Sequence, residues 1–384
     1  MEKRLKIAIL VPWIKSKGGV ERAILTLLKD DKYDIDVYTF EYKEENTFEE
    51  FKNFKIYKIG NLKGGKFVTK GLKLFFNLLT SRIKNLNSYD VFVVSTAGIS
   101  ELSVFRNKHR NTVALSHTPL RVAHTMYDYY RKSALRYRLL LPILVPIYRW
   151  LERAAWKRIN YALVYSQEVK FRLVKSGLIR PSRIFVIGPA VRYPKSIKKT
   201  KTKKLIFYSS RFIPYKRQDL AIRAFRASEL PKLGFKLVLG GFVEDKRYFE
   251  RIKALAGQGN GIILKTNMKD DELKALYSEC YATLFLSVNE DTGLVPLESM
   301  AYGKPVISVN EGGPKEFVKN GVNGLLVTAN INSIAAALNR IINKKLYLKL
   351  KSGALTSTIY DDERQRSKFD KYISRIANKR IKAT

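Results

Sequence analysis

The sequence predicts an α/β protein built on doubly wound parallel sheets. Three observations carry this. The run Ala282 to Val309 reads as buried strand, Gly-containing turn, helix and buried strand, half of a doubly wound unit. The same alternation of short apolar runs, Gly or Pro turns and helical stretches recurs from Leu5 to Asn343. With 384 residues the chain is long enough for two domains with a full core each.

Taken in order, Leu5 to Pro12 is a continuous apolar strand, Lys15 to Gly19 a loop holding Gly18 and Gly19, and Val20 to Leu28 a helix. Adjacent glycines before a helix start let a phosphate or sugar approach the backbone closely. Strands follow at Ile35–Phe40 and Phe54–Ile59. The turn at Lys63-Gly64-Gly65-Lys66 leads to a helix over Val68–Lys84, and Asp90–Ser95 is another buried strand. Asn111–Leu115 is a strand that runs into His117, placed at a carboxyl end where α/β proteins work. His109 and His124 read as structural. Tyr161–Ser166 and Ile184–Ile187 close the first domain. Arg192–Lys204, poor in apolar residues, reads as a linker.

The second domain opens on the strand Leu205–Tyr208. Arg211 and Lys216 follow it, two cations five apart before a helix at Leu220–Ala227, a spacing that lets both reach one diphosphate. Leu237–Gly241 and Gly261–Leu264 are strands, and Asp270–Glu279 is a helix. After the Ala282–Val288 strand, Glu290 and Glu298 bracket a turn and helix start, Leu294–Tyr302. The backbone N–H groups of Thr292, Gly293, Leu294 and Val295 face any anion there. Ile331–Asn343 is a helix, and Asp361–Ile381 a charged amphipathic one.

Composition narrows the function classes. Lys and Arg number 72 against 34 Asp and Glu, a formal net charge of +38, which favours polyanions such as nucleic acid, anionic lipid or phosphorylated substrates. Among nucleic-acid binders no groove-reading or base-stacking module is recognisable. The single cysteine, Cys280, excludes intrachain disulfides and cysteine metal clusters, fits a reducing cytoplasm, and reads as a small buried residue. Ile7 to Trp13 is too short for a signal peptide, and no apolar run reaches the roughly 20 residues of a bilayer span. Tyr127 to Asn160 mixes eight basic residues and two acids, Asp128 and Glu152, with Trp150, Trp156 and several tyrosines and leucines. That suits contact with anionic headgroups, and equally a pair of helices packed on the sheet with a solvated basic face. Its apolar centre, Leu139 to Ile147, is short and interrupted by Pro142 and Pro146.

The stretch N-E-D-T-G-L-V-P-L-E-S-M-A-Y-G-K-P-V-I, Asn289 to Ile307, resembles the donor-site signature of glycosyltransferase family 4, retaining enzymes of the GT-B fold. An aromatic residue is usual in that family where Thr292 stands. R-F-I-P-Y-K-R-Q-D-L, from Arg211, is similar to the family's diphosphate-binding turn, with a Ser210 where Gly is usual. H-T-P-L-R, from His117, is similar to a run in mannosyltransferases of O-antigen and lipid-linked glycan assembly, and G-G-V-E-R, from Gly18, to the family's first loop.

The resemblance implies two Rossmann-like domains, 1–191 and 205–360, facing across a cleft, with the helix 361–384 returning to the first. It implies a retaining, metal-independent hexosyltransferase using a nucleotide sugar as donor and no cofactor. Arg211, Lys216, Asp291, Thr292, Gly293, Leu294, Val295 and Glu298 then bind the donor, Glu298 at the ribose. Glu290 and His117 act at the sugar, and Gly18 and Gly19 line the acceptor side. GDP-mannose is the expected donor and UDP-glucose the second choice. The expected acceptor is a glycan or a polyprenyl-phosphate-linked glycan, met at the inner face of an anionic membrane. A sugar-nucleotide hydrolase or epimerase of the same fold is the alternative, and a nucleic-acid-binding protein the more distant one. The triplet Asp34-Ile35-Asp36 opens an early strand and is not read as a metal site.

Overall fold

The computed structural model describes residues 4–29, 32–60, 62, 67–96, 98–191, 194, 201–257, 261–357 and 359–378. The turn at 63–66 and most of the 192–204 linker lie outside these residues. The chain divides into two compact units, Met1–Ala190 with Asp362–Thr384, and Val191–Asp361.

The strands are β1 (Leu5–Leu10), β2 (Trp13–Ile14), β3 (Tyr33–Thr39), β4 (Glu41–Tyr42), β5 (Lys55–Lys58), β6 (Val91–Ser95), β7 (Thr112–Ser116), β8 (Tyr161–Val164) and β9 (Ile184–Val186) in the first unit. Those of the second are β10 (Leu205–Ser209), β11 (Lys236–Gly241), β12 (Ile262–Thr266), β13 (Ala282–Phe285), β14 (Val306–Val309) and β15 (Gly324–Val327). The first unit's main sheet runs β5-β3-β1-β6-β7-β8-β9 and the second's β12-β11-β10-β13-β14-β15. Every pairing in both is parallel. The second order is that of a Rossmann sheet, with its topological switch between β10 and β13; in the first unit the switch lies between β1 and β6. Both units are thus Rossmann-like α/β halves.

Parallel strands covered on both faces must be apolar at successive positions. In β1, Ile7 and Ile9 enter one core cluster while Ala8 and Leu10 enter the other. β6 divides the same way, Val91 and Val93 against Phe92 and Val94. In the second unit Ile206 and Tyr208 of β10 face one cluster and Phe207 the other. Cys280 is fully buried there, and burial pushes its thiol up to about 12.

The helix Asp362–Ala377 belongs to the first unit. Phe369, Ile373 and Ile376 complete a core cluster with β1 and β6 residues. Gln365 Nε2 donates to the Gly188 carbonyl at 2.7 Å, and Lys32 pairs with Asp370 at 2.7 Å.

The basic segment forms two helices, Tyr127–Ser133 and Leu135–Trp156, parted at Ala134. Pro142 and Pro146 do not interrupt the second, which runs for 22 residues. Both prolines are exposed, and each removes one intrahelical hydrogen bond. Among the described residues no helix is long and apolar enough to cross a membrane.

Candidate functional site

In the second unit, the turns after β10, β13 and β14 meet at the carboxyl edge of the sheet. Val288 N donates to the Tyr215 carbonyl at 2.9 Å, tying the β13 turn to the β10 turn. Tyr208, buried at the base, donates its hydroxyl to the Lys216 carbonyl and accepts from Leu286 N at 3.2 Å. Gly313 N donates to the Glu290 carbonyl at 2.8 Å, tying in the β14 turn. Gly312 sits there at φ +63°, and a Cβ on it would lie 2.2 Å from the Glu290 carbonyl oxygen. Only glycine allows that approach.

Lys216 closes a short turn, Pro214–Lys216, and is 8% exposed. Its ammonium is paired with the Glu290 carboxylate and lies 5.5 Å from the centre of the Tyr215 ring. The ion pair therefore spans the β10–β13 switch point, where Rossmann sheets bind their ligands. Arg211 is half-exposed. It pairs with Glu244, beyond β11, and donates to the Tyr215 hydroxyl at 3.0 Å. Tyr215 thus touches both cations that the sequence placed together. Beside them Arg217, in the left-handed region at φ +54°, donates to Glu311 at 3.0 Å and to the Leu286 carbonyl at 3.2 Å.

Asp291 and Thr292 continue the β13 turn, and Gly293, at φ +82°, precedes the helix Leu294–Ala301. A Cβ at Gly293 would stand 2.6 Å from Pro314 Cγ. No side chain caps this helix. The N–H groups of Leu294 and Val295 have no acceptor within its first turn, and carry the partial positive charge of a helix start. Pro296, which has no N–H, occupies that same turn without cost. One turn further in, Glu298 accepts from the Tyr277 hydroxyl at 2.8 Å. Tyr277 is buried and stacked on Tyr302, ring centres 5.6 Å apart. Burial and then the Glu298 charge hold its hydroxyl protonated, so it stays a donor that aims the carboxylate.

In the first unit His117 follows β7 directly. Its Nε2 is hydrogen-bonded to Ser95 Oγ at 3.1 Å, at the end of β6, and its ring stacks on Tyr165, after β8, at 5.0 Å. Burial lowers its pKa to about 4, so the imidazole is neutral near pH 7. Gly18 precedes, and Gly19 begins, the helix Gly19–Leu28; the buried Glu21 accepts from Ser16 Oγ at 2.8 Å across that loop. Asp36, on β3, accepts from the Tyr89 hydroxyl. His109 is bound to the Tyr89 carbonyl at 3.0 Å.

Sequence reasoning missed Tyr208, Tyr215, Tyr277, Arg217 and Glu311. Tyr215 and Arg217 flank Lys216 within a run already singled out, so their proximity was available. Tyr277 and Glu311 carried no local signal.

Comparison with known proteins bears on this geometry. Residues 192–354 match the family described as "Glycosyl transferases group 1". The chain is 33% identical over 112 residues to the alpha-1,3/1,6-mannosyltransferase ALG2 of Dictyostelium discoideum, covering 28% of this chain and 27% of that one. It is 30% identical over 198 residues to the D-inositol 3-phosphate glycosyltransferase of Acidothermus cellulolyticus, covering 48% and 43%. The chain spans less than half the length of the curated relatives it matches. The solved structure of Anabaena HepE in complex with UDP-glucose superposes with a TM-score of 0.69 at 18% identity, covering 96% of this chain and 99% of that one. A TarM structure superposes with a TM-score of 0.69 at 16% identity, covering 98% and 99%. The structural neighbours are GT-B glycosyltransferases, and the fold is shared with them.

Proposed function

We propose that this protein is a retaining glycosyltransferase that moves a hexose from a nucleotide diphosphate sugar to a glycan or a polyprenyl-phosphate-linked glycan. Mannose from GDP-mannose is the first choice of donor, supported by the ALG2 similarity, and UDP-glucose the second. One observation carries the reading: the Lys216–Glu290 pair stands at the switch point, beside an uncapped helix start, with Glu298 held one turn inside.

In this reading Arg211, Lys216 and the amides from Thr292 to Val295 receive the diphosphate and stabilise the charge that grows on it as the sugar leaves. Each cation now holds a carboxylate, which the donor phosphates replace at Arg211 and Lys216. Glu290, released from Lys216, accepts from sugar hydroxyls, with Asp291 beside it. Glu298 accepts from the ribose hydroxyls while Tyr277 fixes its direction. In the first unit His117, neutral at pH 7, offers a hydrogen bond to the sugar, and the Gly18–Gly19 loop serves the acceptor. The acceptor hydroxyl attacks from the face the diphosphate leaves, and a phosphate oxygen takes its proton. The cations supply the charge a metal ion would bring. The reaction runs on the cytoplasmic face of a membrane.

The test is a donor screen. Thermal shift against GDP-mannose, UDP-glucose and ADP-glucose is expected to single out one nucleotide sugar, because a ligand bound only by the folded state raises the melting point. Transfer from that donor to a lipid-linked acceptor should follow. Stabilisation by none of them, or donor breakdown at full rate with no acceptor, overturns the reading.

A further inference from the structure

The helix Leu135–Trp156 is apolar on two opposite faces. One packs inward through Leu141, Val145, Ala155 and Trp156. The other carries Leu135, Leu139, Ile143, Ile147 and Trp150, at spacings of three and four residues, each between 55% and 70% exposed. Spacings of three and four place these side chains in one row. A continuous row of large exposed hydrophobics marks an interaction surface rather than ordinary solvent contact. The helix holds one acid, Glu152, and that residue is 1% exposed on the inward side. Arg136 and Arg138 near its start and Arg153 near its end are exposed, as is Lys132 just before it, while Arg131 is paired with Asp128 at 3.8 Å.

We propose that this helix lies in the surface of an anionic lipid bilayer. Its Leu135-to-Trp150 row enters the boundary between headgroups and acyl chains, and the exposed arginines meet lipid phosphates. Charge complementarity selects this occupant. A second copy of the chain would set the same cations against one another, with no acid on the helix's exposed face to pair with them. A helix of this length runs about 33 Å along the surface.

The seat is coupled to the segment that begins at His117. Arg149 Nε donates to the Ala123 carbonyl at 2.8 Å. His124 bridges Glu152 at 2.7 Å and Ser176 at 3.1 Å. The Tyr148 hydroxyl donates to Glu101 at 2.7 Å and contacts Glu152 at 3.2 Å. This buried chain of polar groups locks the inward face of the helix to the loop after β7, so seating the helix also positions that loop. The purpose of the seat, delivery of a lipid-phosphate acceptor, rests on the function proposed above; the seat itself is tested without turnover.

The experiment is vesicle co-sedimentation of the full chain with phosphatidylcholine alone and with added phosphatidylglycerol. Binding is expected only with the anionic lipid. Trp150 emission should shift to the blue and be quenched by lipids brominated on their acyl chains, and Trp150→Phe should remove that signal. Ile143→Glu with Ile147→Glu, and separately Arg136→Gln with Arg138→Gln, should each weaken binding by about tenfold or more. All four side chains are exposed, so melting temperature and the shift by donor nucleotide should be unchanged; a variant that lost both would be replaced by Leu139→Ser with Ile143→Ser. Three outcomes overturn the proposal. The protein stays in the supernatant with anionic vesicles at low salt; it binds with Trp150 unquenched and the glutamate pair indifferent; or light scattering shows a dimer in the absence of lipid that the glutamate pair dissolves. Vesicle binding in a protein that no nucleotide sugar stabilises would sink the donor reading and leave the membrane seat standing.

Discussion

At the scale of single residues, the site is set by which charge faces which. Lys216 reads from the sequence as a loop cation, yet it is nearly buried and paired with Glu290. Lys216→Ala therefore leaves the Glu290 charge in a poorly solvated place. It should cost about 3 kcal/mol of stability, read as a lower urea midpoint, besides its effect on transfer. Glu290→Gln keeps the shape and a hydrogen-bond acceptor for Lys216. It removes the countercharge of a still more buried ammonium, so it too should lower the urea midpoint, while transfer falls by about a hundredfold, the scale of losing one preorganised contact. Normal turnover in Glu290→Gln removes this residue from the mechanism. His117 adds a pH signature. Its folded pKa, about 4, lies below the ordinary histidine value near 6.5. Between those values the unfolded chain binds more protons, so stability falls as pH drops through that window. His117→Gln should lose that part of the fall. Parallel unfolding midpoints for both proteins at pH 7 and pH 5 would show that the imidazole is not held neutral.

At the scale of elements, the fold brings turns together across the sheet edge and packs helices by inward faces. The contact between the helix Leu135–Trp156 and the short helix Ser100–Phe105 is polar at its centre. Glu101 and Glu152 are both buried, with the Tyr148 hydroxyl between them. Burial first, and then the Glu152 charge, push the Glu101 pKa up to about 8. The folded state thus holds a proton that the unfolded state gives up above pH 4.5, and stability is lost as pH rises from about 4.5 to 8. Across that window the slope is roughly 1 kcal/mol per pH unit. Glu101→Gln should flatten the profile and raise the melting temperature at pH 8.5 above that of the unaltered protein. A wild-type profile that is already flat there would mean Glu101 is ionised and paired otherwise.

At the scale of the whole molecule, the family match lies in the second unit and the proposed membrane seat in the first. Donor recognition and surface attachment are then separable, and mutations at one should leave the other's binding intact. The positive charge already gathered by Arg211, Lys216 and the helix start leads to a further expectation: transfer should persist in excess EDTA. Loss of activity with chelator, restored by magnesium or manganese, would place the reaction in a different transferase class. The excess of 38 positive charges also predicts adventitious binding to nucleic acid that disappears at moderate salt, because counterion release is its only source.

The sequence by itself determined the strands and the turns that carry the proposed chemistry. Parallel strands covered on both faces are written as continuous apolar runs, such as Ile7–Leu10 and Val91–Val94, and need no long-range information to be read. Gly293, where a Cβ would strike Pro314, was visible as a turn glycine. The pairings were not visible. Glu290 meets Lys216 from 74 residues away, and Tyr277 meets Glu298 from a different helix, because parallel crossovers bring consecutive strand ends to one edge. Nor did the sequence show which face of Leu135–Trp156 packs. A helix apolar on both sides has no single stripe, so periodicity cannot assign inside and outside. Only the packing of Leu141, Val145 and Trp156, together with the buried Glu101–Tyr148–Glu152–His124 chain, decides that the row from Leu135 to Trp150 faces outward.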